Sequence, residues 1–217
     1  VNAATRILGV PGAAGRIDVA VDRPEPIAQD PQSGVVRGLA VIAHPHPLYG
    51  GTRDNKVVQT LARALLALGY VCWRPDFRGV GDSEGVHDAG TGETEDLLAV
   101  VAAARAAEPG GADLPLVLAG FSFGTMVQSR VAARLVQAGT PASKLVFVGT
   151  AASRFGIEPV PDDTLVIHGE TDDTVPLAAV LDWARPQSLP VVVIPGADHF
   201  FHHKLTVIKQ LVMRALR

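Results

Sequence analysis

Cysteine is all but missing: Cys72 is the single one in 217 residues. No internal disulfide can form, and Cys72 sits in an apolar, strand-like run, Tyr70-Val71-Cys72-Trp73. It reads as a buried small hydrophobe rather than a reactive thiol. An excess of one charge is missing too. The chain has 19 Lys and Arg against 22 Asp and Glu, for a net charge of −3. Nothing in that balance pulls the protein towards nucleic acid or an anionic membrane, and neither is expected as a partner. No apolar run approaches the roughly 20 residues that span a bilayer. Val1 to Gly15 lacks the basic region and apolar stretch of a signal peptide, so the cytoplasm is the expected location. The chain opens on Val rather than Met, which leaves a removed leader open. There is no internal repeat, low-complexity tract or composition break to mark a linker, so one domain over residues 1–217 is expected. What is present is a globular mixture: 47% hydrophobic and 19% charged residues, in a chain long enough to bury a large core.

The order of apolar runs sets the fold class. Thr5–Val10 and Arg16–Val21 read as two strands of a hairpin, separated by Pro11-Gly12-Ala13-Ala14-Gly15. A Pro- and Asp-rich loop covers Asp22 to Gly34. From there strands and helices alternate. The strands are Val35–Ala43, Tyr70–Arg74, Leu116–Ala119, Lys144–Gly149, Thr164–His168 and Val191–Ile194. The helices lie near Asp54–Leu68, Glu93–Ala107, Gly124–Ala138, Pro176–Arg185 and His199–Arg217. The first helix carries Val57, Val58, Leu61, Ala62, Leu65 and Leu66 at helical spacing. Strands continuous in Val, Ile and Leu imply burial on both faces. The expectation is therefore an α/β fold with a mostly parallel, eight-stranded sheet and helices on both faces.

Gly120-Phe121-Ser122-Phe123-Gly124 follows an apolar strand, Leu114 to Ala119. It precedes a helix with Met126, Val127, Val131 and Leu135 at helical spacing. A serine at a strand-to-helix turn, with glycine two residues to either side, is the setting of a nucleophile elbow. The plain alternative is an ordinary Gly-Ser turn.

Ligands of open α/β sheets bind beyond the carboxyl ends of the strands. Three further strand ends carry polar or glycine-rich sequence: His44 to Gly51, Gly169 to Pro176, and Pro195 to Phe201. Serine, aspartate and histidine thus fall in that order at one sheet edge. Serine needs a base to become a nucleophile, and His199 can serve. A loop carboxylate would orient the ring and stabilise the imidazolium. Singly, His199 is a helix-start histidine and Asp172 a turn carboxylate; the combination is less easily dismissed. An oxyanion hole needs backbone N–H groups. Phe123, after the serine, is one candidate. Pro45 and Pro47 have no N–H, which leaves His46 and Leu48 for the other, with His46 preferred. His44-x-His46 as a metal pair, with His202 and His203 further along, is the weaker reading, and no metal or cofactor is expected.

Together these segments resemble the α/β-hydrolase superfamily over essentially the whole chain after the hairpin. Asp76-Phe77-Arg78-Gly79-Val80-Gly81-Asp82-Ser83 resembles the D-x-R-G-x-G-x-S turn of that fold. His168-Gly169-Glu170-Thr171-Asp172 resembles its acid loop, which places the acid on Asp172. Gly196 to Phe201 resembles its histidine loop. The His-Pro pair with Gly50-Gly51-Thr52 and Asn55-Lys56-Val57-Val58 resembles small lidless bacterial hydrolases related to dienelactone hydrolases and carboxylesterases. The dienelactone type carries a cysteine nucleophile where this chain has Ser122. The resemblance implies a serine esterase with Ser122, Asp172 and His199 as its triad. Only Thr150 to Asp163 separates the sixth strand from the next, too little for a cap domain. Leu48, Phe121, Phe200 and Phe201, beside Phe123, are the expected lining of a shallow substrate pocket. The expected partner is a small-molecule ester, and a homodimer is left open. A thioesterase or acyl transferase with the same triad, or a non-catalytic binding protein on this fold, are the rivals. Arg78 and Asp82 are expected to hold their own turn, Glu93 and Asp96 to favour a helix dipole, and Trp73 and Trp183 to pack.

Overall fold

A computed structural model of the protein describes residues 5–25 and 34–217. Most of the Asp22–Gly34 loop lies outside the described residues. Eight strands form one sheet in the order β1-β2-β4-β3-β5-β6-β7-β8. They are β1 (Arg6–Gly12), β2 (Gly15–Asp22), β3 (Gly38–Ala43), β4 (Tyr70–Pro75), β5 (Leu116–Phe121), β6 (Lys144–Val148), β7 (Leu165–Gly169) and β8 (Val191–Ile194). Only β1 with β2 and β2 with β4 pair antiparallel; β4, β3, β5, β6, β7 and β8 run parallel. Among the described residues five α-helices accompany them: α1 (Lys56–Ala67), α2 (Thr91–Ala107), α3 (Phe123–Gln137), α4 (Leu177–Ala184) and, after β8, α5 (Leu205–Ala215).

The central strands show why an unbroken apolar run means a sheet covered twice. All of β3 is buried. Leu39, Val41 and Ala43 face a core shared with Leu97, Val101, Met126 and Val131 of α2 and α3. Ala40 and Ile42 face the opposite core, with Val58, Leu61 and Leu65 of α1 and Ile208 and Val212 of α5. Successive side chains of a strand point to opposite faces, so both sets must be apolar. Asn55 caps α1 by accepting the Val57 N–H at 2.9 Å, which satisfies an N–H that the helix leaves free.

Three elements differ from the sequence reading. The hairpin is tighter, with the two-residue turn Ala13-Ala14 between paired Gly12 and Gly15. β3 starts at Gly38 rather than Val35, because its partner β4 starts only at Tyr70, after a turn through Gly69 at φ 90°. The last helix starts at Leu205, not His199. Phe201 and His203 have φ of 54° and 61°, left-handed values that no α-helix accommodates.

Candidate active site

The turn after β5 is built by close approach. Ser122 has φ 53° and ψ −122°, a strained backbone for a residue with a side chain. Its N–H donates to the Val148 carbonyl at 3.0 Å. A Cβ on Gly120 would lie 2.7 Å from the backbone of Gly124. One on Gly124 would lie 2.5 Å from the Ala43 carbonyl oxygen. The two glycines therefore let α3 start directly against the ends of β5 and β3. Thr125 fastens the turn, its hydroxyl donating to the Ser122 carbonyl at 2.7 Å and accepting the Ala151 N–H at 3.2 Å.

The loops after β7 and β8 converge on this serine. His199 Nε2 lies 3.0 Å from Ser122 Oγ, and His199 Nδ1 lies 2.7 Å from Asp172 Oδ2. Asp172 Oδ1 accepts the N–H groups of Thr174 and Val175 at 3.0 and 2.7 Å. Burial works to raise the Asp172 pKa, but the hydrogen bonds from His199 and the Val175 N–H carry it below its usual value. Asp173, the next residue, is exposed. The His199 ring lies over Phe121 at 5.1 Å between centroids, with Phe200 edge-on at 5.3 Å.

The sequence reading gave His168 no role, although it falls in the acid loop. It is fully buried on β7, with Nε2 2.9 Å from the Val175 carbonyl and 3.4 Å from Asp172 Oδ2. Burial lowers its pKa. The Val175 carbonyl fixes the proton on Nε2, so the ring clamps the turn that carries Asp172. Its place four residues before the acid, next to the last residue of β7, is a signal for it in the sequence.

On the opposite side of Ser122, the loop after β3 turns back on itself. The His46 carbonyl accepts from the N–H groups of Tyr49 and Gly51, both at 3.1 Å. The Leu48 N–H is taken by His46 Nδ1 at 3.3 Å. Of the two N–H groups considered for an oxyanion hole, that of His46 is the one left without an acceptor among the described residues. A Cβ on Gly51 would overlap the Pro45 carbonyl, so the fold-back requires glycine there. Phe123 opens α3, where N–H groups have no intrahelical partner and the helix dipole favours negative charge.

His44 holds this loop from beneath. Its Nδ1 lies 2.6 Å from the Pro45 carbonyl, and its Nε2 accepts the Phe77 N–H at 2.9 Å. Both ring nitrogens are thus engaged, which removes His44 from the His44-x-His46 metal pair. Among the described residues no group of three or more His, Cys, Asp or Glu is placed to hold a metal. Burial lowers the His44 pKa to about 4. An unfolded histidine titrates near 6.5. Between those values the unfolded chain holds one more proton than the folded one, so stability falls as pH drops through that window and not further below it. The expected loss is at most about 3 kcal/mol. His44→Gln keeps a donor and an acceptor without the titration. Chemical denaturation at pH 7 and pH 4.5 should show a smaller acid loss for that variant than for the wild type.

A model of the family described as alpha/beta hydrolase fold matches residues 48–162, more than half of the chain and inclusive of Ser122. This chain belongs to the α/β-hydrolase family. It is 37% identical to an α/β serine hydrolase without a lid from Xanthomonas campestris, covering 100% of this chain and 95% of that one at a TM-score of 0.87. An α/β serine hydrolase homologue from Coxiella burnetii is 35% identical, covering 98% of this chain and 97% of that one at a TM-score of 0.81. An uncharacterized protein of Rickettsia prowazekii is 32% identical over 179 residues, 76% of this chain and 73% of that protein.

In this α/β-hydrolase the segment from Thr150 to Asp163 forms only turns and irregular backbone, and among the described residues no helical cap lies over Ser122. The residues considered for a pocket separate into two groups. Leu48 and Phe200 are 69% and 51% exposed at the rim. Phe121 and Phe201 have no exposed surface. Strand alternation places Phe121 with Val117 and Ala119 on the face of α1 and α5, under His199, so it supports the ring and does not face solvent. Phe201 is packed in the same core, at the floor of a cavity of about 620 Å³ bounded by Phe200, His202, Thr52 and Asn55. Phe123 is also buried, in the core of the other face.

The neighbouring polar residues do more than their positions in sequence suggested. Arg78 does not stop at its own turn. It reaches α2, with Nε and Nη2 2.8 and 2.9 Å from the Asp96 carboxylate and a further bond to the Gly92 carbonyl. Asp96 is thereby an anchor for the loop after β4. Glu93 is fully buried and accepts the N–H groups of Asp88 and Gly90 at 3.0 and 2.8 Å. No helix among the described residues is long and apolar enough to cross a membrane.

Proposed function

We propose that this protein hydrolyses short-chain carboxylic esters through an acyl-enzyme on Ser122. The observation that carries the proposal is the continuous path from Ser122 Oγ through His199 to Asp172, at 3.0 and 2.7 Å. His199 Nε2 takes the Ser122 proton as Oγ attacks the ester carbonyl carbon. Asp172 holds the ring with its proton on Nδ1 and stabilises the imidazolium that forms. The carbonyl oxygen gains negative charge and is bound by the N–H groups of Phe123 and His46. The tetrahedral centre collapses, the C–O bond to the alcohol breaks, and His199 returns the proton to the departing oxygen. Water then repeats the sequence on the acyl-serine, with His199 as its base, and releases the acid and free Ser122.

The oxyanion assignment is testable apart from the triad. His46 acts through its backbone, so His46→Pro, which removes the N–H, should lower kcat by roughly 10²–10³. His46→Ala keeps the N–H and should lose much less. An equal loss in both variants would place the second donor elsewhere.

Open access to Ser122 also sets the substrate length. A buried methylene is worth about 0.8 kcal/mol where a pocket encloses it. Phe121 is sealed into the core, and the cavity beside Phe200 and Phe201 has neither Ser122 nor His199 in its lining, so little wall remains at Ser122 itself to enclose a long chain. Across p-nitrophenyl esters kcat/KM should peak at about two to six acyl carbons. A rise that continues to long chains would contradict the open-site reading.

A further inference from the structure

We propose that Arg53 is a positioning residue for the oxyanion hole, which rests on the reading of the His46 N–H as an oxyanion donor. Set between Asp18 of β2 and Asp76 after β4, Arg53 ties the hairpin to the peptide that carries that N–H.

The peptide joining Pro45 to His46 has little freedom. It is trans, so the His46 N–H points opposite to the Pro45 carbonyl. Whatever fixes that carbonyl therefore aims the N–H. His44 Nδ1 lies 2.6 Å from its oxygen. Gly51 packs directly against it, since a Cβ there would lie 2.1 Å from the same oxygen. Gly51 also donates its N–H to the His46 carbonyl at 3.1 Å. The start of this loop abuts the serine turn: a Cβ on Gly124 would lie 2.7 Å from the His44 carbonyl oxygen. Gly51 is held in turn by Arg53, two residues further on.

Arg53 is gripped through backbone and side chain. Its N–H donates to Asp76 Oδ1 at 2.8 Å, and its carbonyl accepts from Arg74 Nη1 at 2.9 Å. Its Nη1 lies 2.6 Å from Asp18 Oδ2 and its Nε 3.3 Å from Asp76 Oδ2. Both carboxylates are buried, and a buried carboxylate needs a countercharge. Burial raises the Asp76 pKa, against the N–H and charge of Arg53. Without the guanidinium, Asp76 would lose part of its negative charge and its grip on the Arg53 N–H would weaken. Asp18 and Asp76 would themselves keep their places. The Asp76 N–H donates to the Asp18 carbonyl at 2.9 Å. The Ser83 hydroxyl donates to the Asp76 carbonyl at 2.8 Å and accepts the Asp18 N–H at 2.9 Å. What Arg53 releases is thus the loop, not the strands.

A double-mutant cycle tests the assignment. Arg53→Gln should lower kcat about thirtyfold, somewhat less than the loss of an oxyanion donor. Its KM should stay within about threefold of the wild type, since the oxyanion exists only beyond the ground state. In the His46→Pro background the same change should cost less than about twofold more, because the N–H it positions is already gone. In the Asp172→Asn background it should again cost about thirtyfold. Asp18→Asn leaves the loop's own sequence intact and should show the same pattern with smaller losses. It carries the cycle if circular dichroism shows that Arg53→Gln does not fold. Equal further losses in both backgrounds would mean a general loosening and overturn the proposal, as would a loss confined to KM or no loss at all. Full activity in His46→Pro alone would overturn the oxyanion reading, and the role of Arg53 with it. The rate of Ser122 phosphonylation by a fluorophosphonate should follow the same pattern in every variant, because negative charge develops on the phosphonyl oxygen too. That readout requires no ester to be cleaved, and rates unchanged in Arg53→Gln and Asp18→Asn would contradict the proposal.

Discussion

Ser122→Ala is expected to abolish burst-phase acylation and to lower kcat on the order of 10⁶. The expectation follows from where the hydroxyl sits. Ser122 Oγ lies 3.0 Å from His199 Nε2, and the strained turn holds it there. Alanine has the same backbone demands and leaves the glycine contacts unchanged, so the fold should persist. Some hydrolysis over the water rate should survive, because the Phe123 and His46 N–H groups would still bind a developing oxyanion. Stopped-flow measurement with p-nitrophenyl acetate checks it: the wild type should give a burst followed by a steady phase, and the variant no burst. A preserved burst would mean that the acyl group goes elsewhere.

Asp172→Asn is expected to cost about 10⁴ in kcat with little change in fold. Asparagine retains an oxygen for the Thr174 and Val175 N–H groups that Asp172 Oδ1 now accepts. What it loses is the anion beside His199 Nδ1, and with it the tautomer that leaves Nε2 free to take the serine proton. Asp173→Asn should have almost no effect, since Asp173 is exposed and its nearest polar contact is the Thr174 hydroxyl at 3.4 Å. The comparison is sharp because the residues are adjacent. The reverse order of effects would shift the acid by one position and break the account of the turn. His168 makes a third point of reference: its bond to the Val175 carbonyl holds the same turn without touching the reacting atoms.

Much of this was legible in the sequence because it depends on local pattern. The buried face of α1 follows from Val57, Val58, Leu61 and Leu65 alone. The serine turn follows from a strand, two glycines and a helix, and loops at the same sheet edge must converge. What was not legible depends on long-range contacts or on unusual backbone. His199 was assigned to a helix because the apolar spacing of α5 gives no warning that Phe201 and His203 adopt positive φ. Adjacency to Ser122 alone suggests a pocket role for Phe121. Its parity with Val117 and Ala119 on β5 directs it to the core, and that parity was readable. Arg78 with Asp96, and His87 with Glu93 and His46, join segments whose approach is set by the path of the loop after β4. No periodicity encodes that path.

The most direct test of the central claim is the position of a fluorophosphonate adduct. The wild type, treated at neutral pH, digested and mapped by mass spectrometry, should carry one phosphonyl group, on the peptide containing Ser122. His199→Ala should react far more slowly, since the serine would lack its base. An adduct on Ser129 or Ser153, or no adduct at all on folded protein, would contradict the assignment of Ser122 as the nucleophile.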